Sequence, residues 1–254
     1  MINDFKKENP PDSDVGQNSL MGRLCYGVDD DGKTLTDDQL TTNLSFLLFA
    51  GHDTVKGSFC AFVHYLKEHP KVHRLLEEEV RQFSEPLDPA ELKAAPILNA
   101  FLAEVWRLVP PLDAHVVKAT KELKYKNYVI PKDVVCVMDI QVHNIMNESR
   151  FPDSTSFRIE RWLPKDHPLY DPKYYAEGID YNVMSVKYRT FSMGAHMCLG
   201  AYFAKLEARI VVSRLVQNYN FELFNDHLQA IPLRQYVNGF KLTKKITKKG
   251  QVSS

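Results

Sequence analysis

The chain is extreme in nothing. Its 254 residues carry no net charge, with 32 Lys and Arg against 32 Asp and Glu. There is no basic excess to neutralise a phosphate backbone, so nucleic acid is not an expected partner. Cysteine is scarce: Cys25, Cys60, Cys136 and Cys198, with no Cys-x-x-Cys pair. That leaves neither a zinc site nor a disulfide framework to read, and makes a reducing compartment the default. Long apolar runs are missing too. None is longer than Phe46 to Ala50, far too short to span a bilayer. The start, Met-Ile-Asn-Asp-Phe-Lys-Lys-Glu, lacks the apolar stretch of a signal peptide. No signal or membrane anchor is therefore expected from this chain, and its location stays open. Internal repeats and low-complexity segments are also lacking.

What is present is local and chemical. Residues 191–200 read Phe-Ser-Met-Gly-Ala-His-Met-Cys-Leu-Gly. Cys198 lies between Gly194 and Gly200, with His196 two residues upstream, Phe191 at the start and a helical pattern directly after. A free cysteine is more often a small buried hydrophobe than a ligand. Phe191, Gly194, His196, Cys198 and Gly200 at this spacing, however, arise by chance in about one chain in ten thousand or fewer. The glycines let the backbone approach a flat ligand, and a helix N-terminus favours an anionic sulfur. His196 can carry a proton toward a carboxylate. The segment resembles the cysteine loop of the haem-thiolate monooxygenases, the cytochrome P-450 family: Phe-x-x-Gly-x-Arg/His-x-Cys-x-Gly. The resemblance implies Cys198 as the iron ligand and His196 as a contact of a haem propionate.

Around that loop the pattern is mostly helical. Residues 1–35 are polar and read as a flexible lead-in, with a short helix near Leu20 to Cys25. Thr36 followed by Gln39 is a helix start with a reciprocal cap. The long helix it opens runs to about Glu68, where His69-Pro70 breaks it. Lys71–Phe83 reads as a charged amphipathic helix. Ala95-Pro96 opens another, Ile97–Leu108, which closes at Pro110-Pro111. Lys124–Val129, a turn at 130–133 and Val134–Ile140 read as strand, turn, strand. Residues 150–190 have little periodicity, as in a loop that supports a site. After Cys198, the positions Leu199, Tyr202, Phe203, Leu206, Ile210 and Leu215 trace an apolar helix face. Short strands and a lysine-rich tail follow Phe221.

Three further motifs occur in the order of the family. Ala50-Gly51-His52-Asp53-Thr54 lies inside the long helix, where Gly51 costs about 1 kcal/mol against alanine and suggests a local opening. By itself the Asp-Thr pair reads as a cap on a restarting helix. Beside the cysteine loop it resembles the family's oxygen-activation motif, which implies proton delivery by Asp53 and Thr54; Val55 replaces the hydroxyl residue that often follows. Glu104-Val-Trp-Arg107 is an i, i+3 pair in an apolar setting, where a charge must be paired. A second Glu-x-x-Arg, Glu78/Arg81, lies on a charged helix and reads as a solvated face. Phe157-Arg-Ile-Glu160-Arg161-Trp162 resembles the family segment that completes the Glu-x-x-Arg cluster, with Ile159 where proline is usual. The resemblance thus implies a structural trio of Glu104, Arg107 and Arg161.

By the same resemblance His115 and Lys118 follow Pro110-Pro111 where the family enters a strand that lines the haem, as cofactor contacts; Lys118 falls near the place of a propionate-binding arginine, or reads as an ordinary surface lysine. Lys187, Arg189, Lys205 and Arg209 read either as a basic face for an acidic electron donor or as a merely solvated one. Phe49, Ala50, Asp113, Ala114 and the Val237-Asn238 turn would line a pocket by analogy. Phe203–Glu207 looks like retinoid- or sterol-type members. The resemblance runs from about Thr36 to Phe224.

The expected fold is mainly α with small β-sheets, the C-terminal half of the cytochrome P-450 fold from its central long helix onward, with the N-terminal half absent. Residues 1–35 would be the lead-in and 36–254 a partial haem-binding catalytic domain. The implied function is insertion of one oxygen atom from O2 into a lipophilic small molecule. The implied cofactor is haem b (iron protoporphyrin IX), with electrons from NAD(P)H through a flavin reductase or ferredoxin. Two alternatives stay open: a truncated, non-catalytic haem-binding fragment, and an isomerase or dehydratase of the same family. Asp53-Thr54 argues against the latter. Without its other half, the chain is expected to expose a large apolar patch.

Overall fold

The computed structural model describes residues 2–176, 188–223, 228–229, 235–236 and 240–245. The chain divides into two compact units, Met1–Asp53 and Thr54–Ser254.

In the first unit, three short helices occupy the stretch expected to be a lead-in: α1 (Ile2–Glu8), α2 (Asp14–Asn18) and α3 (Leu20–Tyr26). Side chains start and join them. Ser13 and Ser19 accept the N–H groups of Gly16 and Gly22, each at 3.0 Å, as N-caps. The Tyr26 hydroxyl reaches the Asn9 carbonyl at 2.7 Å. The long helix α4 (Asp37–Glu68) then opens on the cap read from sequence. Thr36 N–H donates to Gln39 Oε1 at 2.9 Å, and Gln39 N–H to Thr36 Oγ1 at 3.3 Å. Helix α4 runs without a break through residues 50–54. The expected opening at Gly51 therefore does not interrupt it; a helix of 32 residues absorbs both Gly51 and Gly57.

The second unit holds the main core. Pro70 starts α5 (Pro70–Val80), and α6 (Pro89–Ala94), which sequence periodicity missed, starts on Pro89 with Asp88 as its cap. Helix α7 (Pro96–Leu108) is the centre: Ile97, Leu98 and every residue from Ala100 to Leu108 are buried, the mark of a helix surrounded by others. Glu79 of α5 supplies its N-cap from a distance, accepting the N–H groups of Ile97 and Leu98 at 2.9 and 2.8 Å. Phe62, Phe101 and Trp106 pack ring to ring within this core.

Beyond α7 come β1 (Ala114–Lys118), β2 (Leu123–Tyr125), β3 (Tyr128–Ile130) and β4 (Val135–Asp139). The expected long strand at 124–129 is instead the tight β2–β3 hairpin, turning at Lys126 with φ +51°. Strand β4 pairs antiparallel with β1, His115 opposite Met138 and Lys118 opposite Val135. Local alternation cannot reveal which strand a strand pairs with. Helix α8 (Ile140–Ile145), capped by Asp139, begins at the residue expected to end the second strand. After the aperiodic segment come α9 (Ala201–Asn218) and β5 (Tyr219–Leu223), then β6 (Leu228–Gln229) paired with β7 (Gln235–Tyr236), and β8 (Phe240–Lys244) returning to pair with β5. The architecture is helical with two-stranded sheets, as expected.

The orientation of α9 overturns a sequence reading. Its buried face consists of Ala201, Lys205, Ala208, Arg209, Val212, Ser213 and Val216, while Leu199, Tyr202 and Phe203 are 84, 66 and 71% exposed. The apolar face traced from spacing thus points largely outward. Small and long-stemmed side chains suit close packing against α5, α6 and α7, and the bulky ones are left outside. Lys205 and Arg209 are therefore no solvated or docking face. The Lys205 ammonium lies over the Phe191 ring at 5.4 Å, and Arg209 Nε donates to Asn99 Oδ1 at 2.7 Å. The Val237-Asn238 turn and Lys187 lie outside the described residues.

Candidate active site

Cys198 is exposed, on a loop whose shape is set by its own backbone. Ser192 (φ +60°) and Gly194 (φ +65°) both take the left-handed conformation, which glycine adopts freely and serine adopts under strain. Ser192 N–H closes a turn on the Arg189 carbonyl at 3.0 Å, and Cys198 N–H donates to the Phe191 carbonyl at 2.9 Å. Gly194–His196 form a single 3-10 turn. Gly200 then caps α9, and a Cβ there would meet only Cys198 Sγ, at 4.0 Å. A Cβ on Gly194 would meet nothing within 4 Å. Open space thus adjoins Gly194, and Gly200 leaves room next to the thiol, as a broad planar ligand requires.

The approach to this loop is fastened to α7. The Tyr188 hydroxyl donates to the Ala103 carbonyl at 2.9 Å, and Thr190 Oγ1 donates to the Trp106 carbonyl at 3.2 Å. Burial pushes the Tyr188 phenol far above its ordinary range, so it stays a donor. Phe191 packs edge-on against Trp106, ring centroids 5.1 Å apart. The Trp106 indole donates to Ser58 Oγ at 2.9 Å, and Ser58 in turn donates to the Thr54 carbonyl at 2.9 Å. Trp106 thereby connects the backbone at Thr54 with the cysteine loop. Nothing in the Glu-x-x-Arg spacing singles it out; the signal was an indole in an apolar helix, which needs a partner for its N–H.

A cavity of about 160 Å³ lies beside the loop, lined by His115, Met138, Asp139, Ile140, Arg189, Ser192, Met193 and His196. Its walls come from the paired strands β1 and β4 and from the residues leading to Cys198. His115 Nε2 is buried there without a hydrogen-bond partner. Burial, then the nearby charges of Arg189 and His196, push its imidazole below the ordinary range. The donor set is one for anions: a guanidinium and two imidazoles beside an exposed thiol. It fits the carboxylate edge of a porphyrin.

Lys118 does not join them. It is three residues from His115 on β1 and so points to the other face of the strand, where it is exposed and pairs with Asp133 at 3.0 Å. Arg189, assigned by its neighbours in sequence to a basic outer face, stands in the cavity instead.

The trio of Glu104, Arg107 and Arg161 meets in one cluster, each side chain fully buried. Arg107 grips Glu104 with two N–H groups at 2.8 Å, and Arg161 Nε donates to the same carboxylate at 3.1 Å. The Trp162 indole and the Arg158 N–H add bonds to it at 2.8 and 2.9 Å. The arginines spend their remaining donors on the carbonyls of Asn144, Pro152, Asp153, Ser154 and Ser156. Glu78, of the second Glu-x-x-Arg, is exposed.

Asp53 and Thr54 are half-buried on α4, at the boundary between the two units. Asp53 Oδ1 lies 3.1 Å from His52 Nδ1. Phe49, in the same segment, is 65% exposed; Asp113 and Ala114 are half-buried at the head of β1. Among the described residues, no helix is long and apolar enough to cross a membrane.

Comparison with known proteins gives a consistent match. The family model described as Cytochrome P450 matches residues 1–247, so the likeness includes the first 35 residues and extends past Phe224. The putative cytochrome P450 120 of Synechocystis sp. is 26% identical over 221 residues, covering 86% of this chain and 46% of its own length. The bifunctional cytochrome P450/NADPH–P450 reductase of Aspergillus oryzae is 28% identical over 245 residues, covering 91% of this chain and 20% of its own. Among solved structures, retinoic acid bound cyanobacterial CYP120A1 superposes with a TM-score of 0.78 at 24% identity, over 96% of this chain and 54% of that one. The chain spans about half the length, or less, of the relatives it matches.

Proposed function

The chain belongs to the cytochrome P450 family, and from that premise we propose that it carries the thiolate half of a haem monooxygenase. The observation that carries this reading is the shared cavity: His196, two residues from the exposed Cys198 thiol, lines it together with His115 and Arg189. An anion site beside a soft-metal ligand is what iron protoporphyrin IX needs. Cys198 Sγ would hold the iron, and Phe191, Gly194 and Gly200 would frame the thiol. Bound by a thiolate, haem supplies the activation of O2 through which one oxygen atom enters a lipophilic substrate and the other leaves as water. The electrons would come from NAD(P)H through a flavin reductase or ferredoxin; the fused reductase of the Aspergillus relative is in line with the first.

The chain's own residues have separable tasks. Thr54 Oγ1 and the Asp53 carboxylate would hold and pass protons. Glu104, Arg107 and Arg161 keep α7 locked to residues 144–161, and α7 in turn holds the approach to the cysteine loop. They are structural and touch no reacting atom.

A second reading is favoured by the exposed apolar face of α9 and by the half-length match: haem binding without turnover, complete only with a further polypeptide segment. One experiment addresses both. The 254-residue chain is mixed with haem, reduced and exposed to carbon monoxide. The absorption band of a thiolate-ligated carbonyl complex, lost in Cys198→Ala, is expected. Haem uptake with an unchanged band in Cys198→Ala would overturn the thiolate assignment. Substrate turnover after adding a reductase then separates the monooxygenase from the haem-binding fragment.

A further inference from the structure

The cavity beside the cysteine loop holds three cation-capable groups, and Arg189 is the one whose charge does not depend on pH. Its direction is imposed by its neighbours. Tyr188 and Thr190 both face inward and are hydrogen-bonded to carbonyls in the last turns of α7. Arg189, between them, lines the cavity. The turn closed by Ser192 N–H on the Arg189 carbonyl fixes its backbone from the other side. Its Nη1 reaches Met138 Sδ at 3.9 Å, and Met138 is the cross-strand partner of His115.

This crowding has a cost that an anion would relieve. Arg189 and His196 both disfavour the charged form of His115, whose Nε2 is left without a partner. Asp139 is the carboxylate among the lining residues, and its Oδ1 accepts the N–H of Val142 as the cap of α8. Three cation-capable groups against one carboxylate, converging on a small cavity on a rigid support, favour an anion.

We propose that Arg189 is the anchoring residue for a carboxylate of the cofactor, in the role that strand position had suggested for Lys118. The assignment rests on the haem reading and adds to it a residue outside the motif Phe-x-x-Gly-x-Arg/His-x-Cys-x-Gly. The guanidinium would grip the carboxylate through paired N–H donors, with His115 and His196 completing its surroundings.

The test compares haem with its dimethyl ester, which has the same ring and no charged carboxylate. Both are titrated by absorbance into the full chain, into Arg189→Gln, into Arg189→Lys and into Lys118→Gln, each checked for folding by far-ultraviolet circular dichroism. The unaltered chain should prefer haem to the ester, and Arg189→Gln should reduce that preference about tenfold or more. Arg189→Lys should restore part of it, and Lys118→Gln should leave it unchanged. If Arg189→Gln discriminates as the unaltered chain does, the anchoring role is overturned while the haem reading stands. If the unaltered chain takes up neither compound, the haem reading falls and this inference with it.

Discussion

Glu104 shows how much one side chain can be made to hold. Its carboxylate receives Arg107, Arg161, the Trp162 indole and a backbone N–H, all away from water. Removing a buried charge partner leaves uncompensated charges inside the core, which costs about 3–5 kcal/mol. Glu104→Ala is therefore expected to lower unfolding free energy by that amount or to prevent folding, as measured by urea denaturation. Cys198→Ala, at an exposed site with no packing role, should stay within about 0.5 kcal/mol of the parent. Glu104, Arg107 and Arg161 were legible in sequence because an apolar context demands pairing. The position of Arg189 in the cavity, with Lys118 outside it, was not. It depends on which face of β1 meets the residues before Cys198, and those are about seventy positions away along the chain.

Helix α5 couples local sequence to pH. His69 precedes its first turn and stacks on Phe157 with centroids 4.3 Å apart; His73 stacks on Phe221 at 5.2 Å. Burial lowers both imidazole pKa values, opposed by Glu68 at His69 and by Glu77 at His73, with His64 and Lys245 adding to the lowering. The unfolded chain binds these protons near pH 6.5, the folded chain only below that. Their contribution is flat above about pH 6.5, and stability falls as the pH drops from there toward the lowered values. Urea midpoints at pH 7.5 and 5.5 should differ in that direction. His73→Phe, which keeps the ring and removes the titration, should shrink the difference; an unchanged difference would rule His73 out as a contributor. The capping box of α4 could be read in advance because it is complete within four residues. The buried face of α9 could not, since Lys205 and Arg209 turn inward only to meet Phe191 and Asn99.

Much apolar surface is left in contact with water. On α4 Phe46, Leu48 and Phe49 are 65–70% exposed, and on the β1–β4 pair Val116, Val135 and Val137 are 61–67% exposed. Together with the outward face of α9, this exceeds what scattered surface hydrophobes explain. The chain on its own is expected to self-associate with rising concentration. Phe203→Gln should reduce light scattering without lowering the melting temperature, because the ring supports no core packing. Retained association together with a fall in melting temperature would mean that Phe203 is already covered. The family was recognisable from motifs that survive in half a fold. The outward-facing apolar helix was misread, because periodicity reports that a face is apolar and not what it packs against.

Helix α7 holds the trio through its side chains and the cysteine-loop approach through its carbonyls. Both sets of bonds count from the same residues. A single residue inserted or deleted between Glu104 and Trp106 would rotate Trp106 and Arg107 by about 100° relative to Ala103 and Glu104, breaking both sets at once. This stretch is therefore constrained in length as well as at Glu104, Trp106 and Arg107, and length variation among relatives belongs in the connections outside it.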